Sequence, residues 1–516
     1  MCYTLPANAA PSSKAEMKKL EQLKTKLAEI CDLNNAASLL GWDQQTCMPY
    51  GAGASRAEQL ATLGRLSHEK FAIPEIGELI EAAALESAQS PNESDEASLL
   101  RIVRRDYERA CKIPPSLVAD IARASSLGME IWVKAREQAN FSLFQDALER
   151  IFVLHRQLAA CLGYDDSIYD PLLDHYEPEM KTASVRQLLA ELKQSLIPLV
   201  RKVTEKLDAV DDSVLHGHYA EKAQWDFGME ALQRMGFDLE RGRLDKSVHP
   251  FTTSFSVNDV RITTRIEENY FPTAFAGTLH EGGHALYEQG VNQAFERTFL
   301  AGGASLGVHE SQSRLWENIV GKSRSFWKFF FPRLQESFPE NLSHLSLDNF
   351  YRAINRVKPS FIRIEADELT YNLHILLRCE LEIDVLEDRL RVADLPAAWN
   401  AKMNKYLGLV PSDDALGVLQ DVHWSNGLIG YFPTYTLGNL ISAQIFEKAT
   451  EQNPEILPAI ENGEFQPLLQ WLRTNIHKHG RKFTPQEILI RTTGESLQTS
   501  YYLRYLQRKY AEIYQL

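Results

Sequence analysis

The sequence predicts a mainly α-helical protein carrying one small antiparallel β-sheet, and three observations support that reading. Apolar residues recur every three or four positions along most of the 516 residues. β-Branched and aromatic residues alternate with polar ones in a single stretch, 248–267, and breaks containing Pro separate helical segments. With 44% hydrophobic and 24% charged residues the chain has an ordinary globular composition and enough apolar side chains for a sizeable core.

Residues 1–12 read as a loose tail ended by Ser13, which forms a capping-box signature with Glu16. Leu20, Leu23, Leu27 and Ile30 then place an apolar face on the first helix. The same periodicity predicts helix through 54–86, 95–111, 116–139, 143–162 and 183–207, with breaks at Ser90-Pro91-Asn92, Pro114-Pro115 and Tyr176-Glu177-Pro178. Segment 248–267, VHPFTTSFSVNDVRITTRIE, predicts the sheet, turning at Asn258-Asp259. Helical texture returns at 272–289, 306–320, 365–386, 435–450 and 497–513, and no repeat of fixed period is present. Length alone allows roughly three domains.

A net charge of −14, from 55 Lys+Arg against 69 Asp+Glu, disfavours nucleic-acid backbones and acidic membrane surfaces as partners. The N-terminal residues contain no apolar signal core and no long apolar run follows, so the expectation is a cytoplasmic protein without a membrane span. Six scattered cysteines without a C-x-x-C pair argue against a disulfide framework or a thiolate zinc site.

The chemistry lies in His280-Glu281-Gly282-Gly283-His284, an H-E-x-x-H motif. Residues four apart share a helix face, so two imidazoles can bind one tetrahedral metal while Glu281 reaches a water as general base. Only ~0.03 such motifs are expected by chance in this composition. Two interior glycines each cost a helix about 1 kcal/mol, which suggests that another backbone packs closely or that a substrate passes over the helix. A catalytic zinc needs a third protein ligand. Tyr287 and Gly290 stand where a second H-x-x-G-x-x-H half would need Gly and His, so a carboxylate from a following helix is expected. Glu310 suits that place; Glu288 lies on the same helix as His284, and Glu296 falls in the connection.

With these residues stand His249-Pro250-Phe251, Asp259-Val260-Arg261-Ile262-Thr263, His309-Glu310-Ser311-Gln312-Ser313, Ile362-Arg363-Ile364-Glu365-Ala366-Asp367, and Gly417 to Trp424 in the pattern GxxQDxHW. In this set of motifs the chain resembles the carboxypeptidase Taq family of thermostable metallocarboxypeptidases. Gly41-Trp42-Asp43-Gln44 and Met48-Pro49 extend the resemblance to the N-terminal region. It implies a two-lobed, neurolysin-like helical fold with a deep groove, zinc that cobalt can replace, peptide substrates with a free C-terminus, and a homodimer. The chain is then expected to form one metallocarboxypeptidase domain, with an N-terminal lobe at about 13–240, the sheet at 248–267 and a catalytic and C-terminal region at 270–516.

An enzyme that acts at a C-terminus must recognise a free carboxylate, for which a bidentate Arg is suited. Arg363 is expected there from its place in the family motif; a helical ion pair with Asp367 is the alternative. Arg261 and Asp259 share a strand face and make a rigid pair at the end of the groove that is either structural or substrate-facing, and His249 either lines that end or is a satisfied loop histidine. His423 is a candidate oxyanion donor, with Tyr431 or Tyr435 as the second, unless Asp421 orients it for packing. His309 is placed to orient Glu310. The expected activity is zinc-dependent release of single C-terminal residues with broad specificity, through His280, His284 and Glu310, with Glu281 as base. An oligopeptidase or dipeptidyl carboxypeptidase of the same architecture is the nearest alternative, and a non-catalytic metal-binding helical protein a more distant one.

Overall fold

The computed structural model describes residues 18–516, so the Ser13–Glu16 helix start lies outside the described residues. The first helix, Lys19–Thr46, buries Leu23, Leu27, Ile30 and Trp42, the apolar face set by its spacing. Segment 54–86 forms two helices, Gly53–Phe71 and Pro74–Glu86. The break has a local cause. Ile73 precedes Pro74, is extended as a residue before proline must be, and Pro74 then starts the second helix. Helices Asp95–Lys112, Pro115–Glu137, Gln145–Leu162, Thr182–Thr204 and Glu221–Met235 complete the first half.

The sheet has three strands, β1 (Gly242–Lys246), β2 (Thr252–Ser256) and β3 (Asp259–Thr264), in the order β1-β3-β2. The β2–β3 hairpin is antiparallel as expected, but β1 adds to β3 in parallel, so the sheet is mixed. Sequence pattern does not reveal β1, because Gly-Arg-Leu-Asp-Lys buries only Leu244.

Two hydrophobic clusters hold these elements. A large one runs from Trp132 to Tyr514 and includes Leu244 of β1 and Val260 and Ile262 of β3. A smaller one joins Leu23, Leu27, Ile76, Leu99 and Val103 of the N-terminal helices to Val257, Val291 and Phe295. Trp42 adds a polar seam, for the Arg261 guanidinium lies 4.4 Å from the centre of its ring.

The helix that carries the motif, Phe271–Gly290, packs on Leu306–Arg314 by direct backbone approach. A Cβ on Gly283 would meet the Gln312 carbonyl oxygen at 2.6 Å and the Ser313 Cα at 2.7 Å, and one on Gly282 would meet Leu232. Close packing therefore explains the paired glycines. On the other side of Leu306–Arg314, a Cβ on Gly438 of helix Pro433–Gln452 would meet Glu310 Cγ at 2.5 Å. The chain continues from Arg314 into a π-helical turn, Leu315–Val320, in place of uninterrupted α-helix. The Glu177 carboxylate caps Leu306–Arg314, accepting from the Gly307 N–H, and burial pushes its pKa up to about 8.

Two predictions follow from this packing. In an exposed helix, Gly→Ala gains about 1 kcal/mol; Gly283→Ala is expected instead to lose about 1–3 kcal/mol, because backbone cannot yield as a side chain can. Chemical denaturation tests this, and a gain in stability would contradict it. Glu177 has a folded-state pKa above the unfolded value, so its contribution to stability falls as pH rises from about 4.5 through 8. Glu177→Gln removes that slope, and between pH 5 and 9 wild type should lose stability relative to the variant in urea unfolding.

Candidate metal centre

His280 and His284 project from one face of the motif helix toward Glu310. His280 Nε2 lies 3.6 Å and His284 Nε2 lies 3.4 Å from the same oxygen, Glu310 Oε2. Ligands bound tetrahedrally at 2.0–2.1 Å stand about 3.3–3.4 Å apart, so the donor set is dimensioned for a zinc-sized ion. Its chemistry, two imidazoles and a carboxylate, is also that of catalytic zinc sites.

The other nitrogen of each imidazole is taken. His280 Nδ1 is 2.8 Å from Glu317 Oε2. His284 Nδ1 is 2.6 Å from His309 Nδ1, and His309 Nε2 is 2.7 Å from Glu288 Oε1. These contacts aim both Nε2 atoms inward. They also correct one expectation: His309 orients His284, with Glu288 behind it, and does not orient Glu310, because its ring projects back toward the motif helix. Glu310 is held by Arg314, whose Nε donates to Oε1 at 2.7 Å while Nη1 donates to Glu317 at 3.1 Å. Glu317 and Arg314 were not identified from sequence. The signal was present, since 310, 314 and 317 recur on one helix face, but that spacing equally describes any solvated ion pair.

The charges explain why the cluster wants a cation. Burial alone disfavours the charged imidazolium, yet Glu310 and Glu317 outweigh it and raise the His280 pKa to about 9. Burial also opposes ionisation of Glu310, but Arg314 and the two histidines hold its pKa far below the usual carboxylate range. Glu281 is buried beside them, its pKa raised by burial, and Thr252 of β2 donates to its Oε2 at 2.6 Å.

His423 is buried, its Nε2 3.1 Å from the Tyr435 hydroxyl, and its ring packs against Tyr431. Burial brings its pKa down to about 4, so it is neutral at neutral pH. Asp421 Oδ1 is 3.8 Å from His423 Nδ1, too far for a hydrogen bond, and Asp421 instead binds two arginines. Arg363 donates to Asp421 Oδ1 from Nε and Nη2 at 3.0 and 2.9 Å, and Arg378 donates to Oδ2. Arg363 thus has no ion pair with Asp367, which caps helix Glu368–Leu386 by accepting from Leu369 and Thr370. Arg363 itself lies in a short 3₁₀ turn before that helix. Arg261 makes a bidentate pair with Asp259, both distances 2.9 Å. His249 is exposed on the loop between β1 and β2. The loop carrying His423 is anchored by buried Glu382, which accepts from Trp424 Nε1 and the Gly430 N–H, each at 2.7 Å, and from the Tyr169 hydroxyl at 2.6 Å.

A helix bearing H-E-x-x-H, with a glutamate of the next helix meeting both imidazoles, defines a helical metallopeptidase. Comparison with known proteins makes the assignment specific. Residues 22–510 match the family described as Carboxypeptidase Taq (M32) metallopeptidase, and the chain belongs to that family. It is 44% identical to thermostable carboxypeptidase 1 of Thermus thermophilus over 496 residues, 94% of this chain and 97% of the relative. Carboxypeptidase 1 of Bacillus subtilis is 40% identical over 493 residues, 95% and 97% of the two chains. The solved M32 carboxypeptidase of Deinococcus radiodurans R1 superposes with a TM-score of 0.93 at 40% identity, covering 97% of this chain and 100% of that one. The protein is therefore a metallocarboxypeptidase, and membership in a metallopeptidase family implies a divalent metal. Among the described residues no helix is long and apolar enough to cross a membrane.

Glu317→Gln should lower metal affinity about 10–100-fold, the usual effect of losing a carboxylate behind a ligating histidine. Competition with a chelator measures this, and unchanged affinity would show that Glu317 does not orient His280.

Proposed function

We propose that the protein is a zinc-dependent carboxypeptidase that removes single residues of broad identity from the C-termini of peptides. The observation that carries this reading is the convergence of His280 Nε2, His284 Nε2 and Glu310 Oε2 within bonding reach of one ion, beside buried Glu281. Zinc held there, or cobalt in its place, supplies Lewis acidity toward the scissile carbonyl and acidifies water.

Glu281 is the general base. It takes the proton of the attacking water and delivers it to the leaving amine, and its raised pKa brings its basicity closer to working pH. His423 and either Tyr435 or Tyr431 donate to the oxyanion that develops on the carbonyl. Burial pushes the Tyr431 hydroxyl up to about 12, so it retains the proton it donates. Arg363 receives the terminal carboxylate. Support for this comes from charge: Arg363 and Arg378 share one carboxylate, Asp421, which leaves a surplus positive charge for a substrate anion to meet. Arg261, fixed by Asp259 and Trp42, and His249 close the end of the groove. Resemblance to the family supports a single-domain homodimer, and unpaired cysteines at the five described positions fit a cytoplasmic enzyme.

Glu281→Gln should retain metal by elemental analysis while turnover falls by about 10²–10⁴-fold. Near-full activity would reject the assignment of the base. Mass analysis of an N-blocked pentapeptide should show stepwise loss of single C-terminal residues; internal cuts or released dipeptides would favour an oligopeptidase.

A further inference from the structure

A cavity of about 750 Å³ adjoins the candidate centre on one flank. Its wall includes His309, which is bonded to His284, and Tyr176, whose ring is 5.2 Å from that of Tyr431. The cavity thus reaches within one side chain of both the metal donors and a candidate oxyanion donor. Its size is that of a cleft for a small ligand or a few peptide residues.

The proposed carboxylate anchor is reached from Glu310 by a separate chain of contacts. From Glu310 the contacts run through Arg314, whose guanidinium lies 4.5 Å from the centre of the Tyr371 ring, and then from the Tyr371 hydroxyl to Arg363 Nη1 at 3.0 Å. His309 precedes Glu310 on its helix and Arg314 follows it by about one turn. Under the carboxypeptidase reading, with the carboxylate on Arg363 and the scissile bond over Glu310, the cavity bordered by His309 is a candidate space for the upstream residues.

That cavity is basic in an otherwise acidic protein. Arg105, Arg109 and Arg481 line the cavity. Arg105 and Arg109 share one carboxylate, Asp174, and Arg481 pairs with Asp106. Three guanidiniums thus face two carboxylates, while the chain as a whole carries −14. His175, also in the wall, does not add to the charge: burial, and then Arg109 and Arg105, bring its pKa down to about 4.

Resting on the carboxypeptidase reading, we propose that this cavity receives the substrate residues N-terminal to the scissile bond and favours acidic side chains there. The surplus guanidinium charge is only partly screened in a recessed cavity, so it discriminates between carboxylate and ammonium side chains.

The test compares two N-acetylated hexapeptides that share a C-terminal Ala-Ala and carry either glutamate or lysine at the four upstream positions. Holoenzyme should release C-terminal alanine from the glutamate peptide with kcat/KM about tenfold higher, a preference that shrinks in high salt. In Arg105→Gln and in Arg481→Gln the ratio should fall below about threefold. A ratio does not depend on the folded fraction, so a partly unstable variant still reports. Equal kcat/KM for the two peptides in wild type, or an unchanged ratio in both variants, overturns the inference while leaving the carboxypeptidase reading intact. Failure to release alanine from either peptide overturns the reading and the inference with it.

Discussion

Four glutamates, 281, 288, 310 and 317, are largely withdrawn from water around three imidazoles, His280, His284 and His309, with one guanidinium, Arg314, among them. Buried carboxylates must be paired or lose their charge. The surrounding structure meets this constraint through Glu288 on His309, Glu317 on His280 and Arg314 across Glu310 and Glu317. Positive charge remains short, and Glu310 and Glu317 raise the His280 pKa against the cost of burial. In the proposed reading the same deficit favours a divalent cation between the His280 and His284 Nε2 atoms and Glu310.

The opposite imbalance stands alongside. Arg363 and Arg378 converge on Asp421, and Arg378 is fully buried, so this pole is short of negative charge. Tyr371 joins the two poles, with its ring under Arg314 and its hydroxyl accepting from Arg363. In the proposed reading a peptide C-terminus is complementary to such an arrangement, with its carbonyl toward a metal at the acidic pole and its carboxylate toward the basic one. Net charge is silent on this, because −14 is an average over a surface that the groove does not share.

Helical texture was legible because an apolar face of three or four turns needs no partner to be recognised, and His280, His284 and Glu281 were legible because four-residue spacing is a local property. Glu310 required only the guess that the next helix returns. Other features depended on partners far along the chain. β1 is a strand because β3 offers it an edge, not because of its own composition. Arg363 faces two aspartates of comparable promise, and it pairs with Asp421, 58 residues away, because Asp367 is spent on capping a helix. His309 was expected to serve its neighbour Glu310, but a helical side chain projects away from the adjacent residue and toward whatever packs on its face.

By itself, then, the sequence determined the element types and singled out the candidate donor set and the candidate base, since each is written in residue type and short-range spacing. Tertiary structure alone decided how the donors are aimed, which carboxylate lies behind each imidazole, which arginines share an aspartate, and where the basic cavity opens. The physical reason is range. Helical periodicity and motif spacing act over a few residues, whereas the desolvation that shifts these charges arises only when helices as far apart as Phe271–Gly290, Leu306–Arg314 and Pro433–Gln452 touch through bare glycine backbone.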